Sequence, residues 1–102
     1  MCQYSSLTSI TIPDNMKSIG NGAFYNCSGL TTVTIPNNVK SIGNGAFYGC
    51  SNLANIIIPD NVKIIGKGAF KDCKKLKTAS VPKHLKGKLK KVFPFRTKVI
   101  YR

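Results

Sequence analysis

The chain has 102 residues, enough for one modest domain, and with 42% apolar and 19% charged residues it can form a packed core. Its longest apolar run, Ile56 to Ile58, is far short of the roughly 18 residues of a membrane-spanning helix, and no secretory leader is visible at the start. The net charge of +13 is confined to one end: residues 1–62 hold Lys17 and Lys40 against Asp14 and Asp60, whereas residues 63–102 hold fourteen Lys or Arg against Asp72. One histidine and three carboxylates leave little for acid–base or metal chemistry, so no catalytic residue, cofactor or metal site is expected.

Self-comparison gives a period of 23 residues, with copies opened by Leu7, Leu30, Leu53 and Leu76. Prolines recur at 13, 36, 59 and 82, and phenylalanines at 24, 47, 70 and 93. Copies one and two agree at 17 of 23 positions, two and three at 12, and three and four at only 6, as expected if the last copy is remodelled into a cap. The organisation read from this is a remnant of a preceding repeat at 1–6, three repeats at 7–75, and a divergent fourth repeat with a basic cap at 76–102.

Each copy opens with a short strand. In Ser9-Ile10-Thr11-Ile12 the two isoleucines point inward and Ser9 and Thr11 outward, and Pro13 ends the ladder because it has no N–H to donate. A second extended piece is predicted over Met16–Ile19. Gly20-Asn21-Gly22 then turns the chain, and Ala23–Cys27 is predicted to form one helical or 3₁₀ turn. The recurring glycines lack the remaining glycine of a dinucleotide fingerprint and are read as turns, not as a phosphate cradle.

A single copy cannot cover its own apolar side chains. Stacking equivalent strands in parallel about 4.8 Å apart puts like residues over like in continuous rows, Ile10, Val33 and Ile56 in one and Ile12, Ile35, Ile58 and Val81 in another. The expected fold is therefore a mainly β solenoid of the α/β class with parallel strands. Phe24, Phe47 and Phe70 should stand in file.

The opening L-x-x-I-x-I, with Asn15, Asn38 and Asn61 following, resembles the leucine-rich repeat signature. The full spacing, with I-P, I-G-x-x-A-F and the junctions Cys27-Ser28-Gly29-Leu30 and Cys50-Ser51-Asn52-Leu53, resembles the BspA-like leucine-rich repeats of bacterial surface proteins. The resemblance covers residues 7–75 closely and extends weakly to about residue 93. It implies a curved right-handed solenoid, a secreted or cell-surface location, and adhesion or protein–protein binding to an unknown protein or host-surface ligand. It implies no catalytic residues.

Cys27, Cys50 and Cys73 recur at the repeat period without C-x-x-C spacing, and the Cβ vectors of such a file are parallel, which suits a disulfide poorly. They are read as small buried hydrophobes, with Cys2, off-register, as the exposed thiol. The row Asn15, Asn38, Asn61, His84 is expected to hydrogen-bond the backbone of adjacent coils, which makes His84 structural.

Leucine-rich repeats commonly bind on outward strand positions, here Ser9, Thr32, Asn55 and Thr78 in one row and Thr11, Thr34, Ile57 and Ser80 in the next. These residues are small, and four strands offer on the order of 300 Å² against the roughly 800 Å² per partner of a standard interface. That shortfall, with Gln3–Ser6 resembling a repeat junction whose preceding half-coil is missing, predicts the C-terminal piece of a longer array or end-to-end pairing through an uncapped first coil.

In the basic segment KHLKGKLKKVF, Leu85, Leu89 and Val92 fall at helical spacing. A short amphipathic helix weakened by Gly87 and stopped by Pro94 is predicted, with a closing strand over 97–101, so the cap is helix plus strand. A solvated cap explains its lysines. The alternative is a polyanion-binding patch for nucleic acid, glycan or anionic wall polymer, formed by Lys86, Lys88, Lys90 and Lys91 with Lys63, Lys67, Lys71, Lys74, Lys75 and Lys77 of coil three. Aromatic residues suited to base stacking are sparse there, so any nucleic-acid binding would be unspecific.

Overall fold

A computed structural model describes residues 7–102; Cys2 and the Gln3–Ser6 junction lie outside the described residues. Eight short strands follow in order: β1 (Ser9–Thr11), β2 (Ser18–Ile19), β3 (Thr32–Thr34), β4 (Ser41–Ile42), β5 (Asn55–Ile57), β6 (Ile64–Ile65), β7 (Thr78–Val81) and β8 (Lys98–Tyr101). A single 3₁₀ turn spans Lys83–Leu85. All ladders are parallel and fall in three sheets, β1–β3, β2–β4–β6 and β5–β7–β8. The register Ser9↔Thr32 and Asn55↔Thr78 is the repeat period itself, so each coil lies one strand spacing above the last. Between β7 and β8 the register is Thr78↔Lys98, so the fourth coil closes three residues early.

The core is a set of files. Leu30, Leu53 and Leu76 are buried in line, as are Ile12, Ile35, Ile58 and Val81. The phenylalanines stack in order: Phe24–Phe47 at 5.2 Å and 10°, Phe47–Phe70 at 5.2 Å and 8°, and Phe70–Phe93 at 5.1 Å and 16°. A ring in each coil at one strand spacing leaves no other packing open to these side chains. The expected solenoid is the observed one.

At the corner, Ala23, Tyr25 and Cys27 donate to the carbonyls three residues back, which is 3₁₀-type bonding. Gly22 at φ +63° interrupts it, so the corner is a chain of turns with no continuous helix. The predicted amphipathic helix is a correction of the same kind. Leu85, Leu89 and Val92 have helical spacing but occupy the coil positions that follow Val62, Gly66 and Ala69, and Leu85 and Val92 are buried there. A helix would leave the corner N–H groups of coil three unpaired. Instead Gly68 N donates to Lys91 O at 2.8 Å and Phe70 N to Val92 O at 3.0 Å. Lys91 takes φ +60° in the slot that glycine fills at 22, 45 and 68. The cap is thus a fourth coil plus β8, and the closing strand forms where the sequence places it.

Candidate functional site

Two surfaces were singled out by sequence: the outward strand rows and the lysines. Side chains alternate along β1, β3, β5 and β7, which puts Ser9, Thr11, Thr32, Thr34, Asn55 and Ile57 on the exposed face with Thr78 and Ser80 half-buried beside them. β8 lengthens both rows, with Lys98 beside Thr78 and Ile100 beside Ser80. Ile57 is 66% exposed and Ile100 44%, so the face carries an apolar spot. Part of the face is engaged within the chain. Thr78 donates to Asn55 Oδ1, and Arg102 donates to Ser80 Oγ at 2.8 Å, to the Ile58 carbonyl and to Asp60 Oδ1 at 2.8 Å. The free rows are those of the first two coils together with Ile57.

The structure divides the ten lysines. Lys67, Lys71, Lys74 and Lys91 converge with Arg96 and Phe95 on a groove of about 850 Å³ between the corner of coil three and the segment leading to β8. Lys86 sits over the Tyr101 ring at 5.9 Å, and Lys90 lines a smaller cleft with Leu89 and Tyr101. Lys63, Lys75, Lys77 and Lys88 are exposed and do not line the groove. Asp72, the acid of the groove, accepts a hydrogen bond from the Tyr48 hydroxyl, and this bond and the carboxylate charge push the Tyr48 pKa up. Sequence reasoning missed Phe95, Arg96 and Arg102. Phe95 and Arg96 replace Asp72 and Cys73 of the preceding copy and Arg102 lies beyond the last copy, so the period carries no signal for them.

The asparagine file behaves as expected. Asn38 Nδ2 donates to Asp14 O at 2.6 Å, Asn61 Nδ2 to Asn37 O at 2.8 Å, and His84 Nε2 lies 2.8 Å from Val62 O. A second file at the corner was not read from sequence: Asn21 Oδ1 accepts from Asn44 N and Asn44 Oδ1 from Lys67 N. Cys50 and Cys73 are buried free thiols donating to Phe24 O and Phe47 O at 3.3 and 3.1 Å. Burial pushes them up to about 11 and about 12 respectively, out of the range of a reactive thiolate. Cys27 differs from the expected ladder of three equivalent thiols, because it is disulfide-bonded. The bond does not run along the file, whose other two members are free.

A buried, stacked repeat of short parallel strands with an exposed strand row is the architecture of a leucine-rich repeat protein. The family model described as BspA type Leucine rich repeat region (6 copies) matches residues 1–99, and the chain belongs to that family. A leucine-rich repeat protein from Bacteroides ovatus has 27% identity and a TM-score of 0.74, the match covering 99% of this chain and 32% of that one. A leucine rich cell surface protein from Faecalibacterium prausnitzii has 19% identity and a TM-score of 0.72, covering 92% of this chain and 32% of its own length. The chain therefore spans about a third of the length of these solved structures. No curated protein matches it.

Proposed function

We propose that this chain is a non-enzymatic protein-interaction module of a secreted or surface-located protein, acting in adhesion or partner binding through the outward strand rows. The observation that carries this reading is the exposure of Ser9 and Thr11 in register with Thr32 and Thr34 on the β1–β3 ladder, and of Ile57 and Ile100 on the β5–β7–β8 sheet. The similarity to a cell surface protein of Faecalibacterium prausnitzii supports the location. The test is adhesion of the purified chain to arrayed host-surface and matrix proteins. Thr34→Arg and Ile57→Arg should abolish capture, and capture should change little between about 50 and about 200 mM salt. Capture that survives both substitutions would remove the strand rows from the mechanism.

A second reading rests on charge: a polyanion-binding module using the lysines of coil three and the cap. The confinement of the whole +13 to the last forty residues supports it. Its binding should fall steeply over the same salt range, by counterion release.

Self-association is supported by the outer side of coil one. Leu7 is 39% exposed and Phe24 half-buried, whereas Leu30 and Phe47 at the same positions of coil two are fully buried. Ile10, Met16, Ala23 and Phe24 border a mostly apolar groove of about 310 Å³ there. A second copy of the chain is the proposed occupant.

A further inference from the structure

The groove at the corner of coil three combines two features that the strand rows lack. The first is unbalanced charge. Lys67, Lys71, Lys74, Lys91 and Arg96, five cations, share the groove with one carboxylate, Asp72. The one ion pair among the described residues, Arg102 with Asp60, involves none of these five cations. Like charges around a concavity focus a positive potential and raise the local concentration of anions.

The second is an aromatic ring that does nothing for the fold. Phe95 is 104% exposed, whereas Phe93 two residues earlier closes the phenylalanine stack. Leaving a phenylalanine in water forgoes the stabilisation its burial would bring. The ring borders the same groove as the five cations, with its face open to solvent. A further aromatic group approaches along the corner. Tyr25 and Tyr48 stack at 4.9 Å and 6°, and the next residue in their file is Lys71.

Cations that track a phosphate backbone, with an aromatic face open between them, suit a single strand of nucleic acid. A duplex keeps its base faces inside its own stack and cannot use Phe95. Sulfated or carboxylated glycans and acidic peptides can use the cations, but nothing in their charge calls for the ring. Resting on the polyanion reading and narrowing it, we propose that this groove binds a short segment of single-stranded nucleic acid without sequence preference. Its phosphates lie among Lys67, Lys71, Lys74, Lys91 and Arg96, and one base stacks on Phe95. A longer strand continues along the Tyr48–Tyr25 file.

The test is fluorescence anisotropy with the full chain and labelled oligothymidylate of about ten nucleotides, competed by heparin, polyglutamate and a hairpin duplex. The proposal expects the oligothymidylate to outcompete the duplex. Phe95→Ala should weaken it between about five-fold and about 150-fold while leaving heparin binding unchanged. Lys67→Gln with Lys71→Gln should flatten the plot of log affinity against log salt by about 0.7 per lost phosphate contact. Thermal unfolding of Phe95→Ala should match the parent, because the ring packs against no core. Oligothymidylate binding indifferent to Phe95→Ala, or a preference for heparin, polyglutamate or duplex, overturns the proposal and leaves the polyanion reading standing. Failure of every anionic polymer to bind overturns both.

Discussion

A β-carbon added to Gly43 would lie 2.5 Å from the Asn21 backbone nitrogen, and one on Gly66 2.4 Å from that of Asn44. Successive coils touch backbone to backbone at this corner, so a side chain there forces them apart. Gly43→Ala should cost about 1–3 kcal/mol of unfolding free energy by urea titration. Gly20→Ala, which meets nothing within 4 Å, should cost less than Gly43→Ala and so serves as its control. The thiols give a pH signature. Cys50 and Cys73 keep their protons in the folded state up to about 11 and about 12, above the ordinary value of 9.0. From pH 9 upward the unfolded chain therefore binds fewer protons than the folded one, and stability falls as pH rises through that window. The stabilising contribution is fully present below pH 9. Replacing both thiols by alanine should remove this part of the alkaline slope in denaturation midpoints measured from pH 8 to pH 11.

At the scale of the element, stability comes from files and not from strand length, since no strand among the described residues exceeds four residues. Phe47, buried and stacked on both sides, is the clearest case. Phe47→Ala should cost about 3–5 kcal/mol in chemical unfolding. β8 is held differently, by its ladder to β7 and by Arg102 reaching to Ser80, Ile58 and Asp60. Asp60 is exposed, so the ion pair itself contributes little. Arg102→Ala should therefore speed hydrogen exchange of the Lys98–Tyr101 amides while moving the global midpoint by only a few degrees. The files were legible in the sequence because the residues that build them recur at fixed spacing: Leu30 with Leu53, Asn38 with Asn61, Phe47 with Phe70. The cap was less so. Leu85, Leu89 and Val92 satisfy a helical period and a coil pattern equally, and what decides between them is the need of Gly68 and Phe70 for carbonyl partners. That need belongs to the neighbouring coil and cannot be read within the segment. Lys91 at positive φ gives no warning either, because lysine there breaks the glycine pattern that marks the turn in the other copies.

For the whole molecule, coils pack chiefly on their neighbours, and Arg102 reaches past β7 to Ile58 and Asp60 of coil three. The lysine-rich fourth coil is extended by β8, which pairs with β7, whereas coil one shows Leu7 and Met16 exposed and Phe24 half-buried. The proposed pairing through that side predicts a mass above the monomer by light scattering that falls to the monomer with Phe24→Lys, and a monomeric parent chain would contradict it. The candidate binding surfaces were half legible. The strand rows follow from alternation, but their extension by Lys98 and Ile100 depends on a fourth coil three residues short. Phe95 and Arg96 became visible beside Lys67 and Lys71 only once the chain was folded. All of these placements depend on consecutive coils lying in register, and ring-to-ring nuclear Overhauser contacts in a chain labelled only at phenylalanine measure that directly. The account predicts contacts Phe24–Phe47, Phe47–Phe70 and Phe70–Phe93, with none between Phe24 and Phe70. Rings that contact out of this order, or not at all, would contradict it.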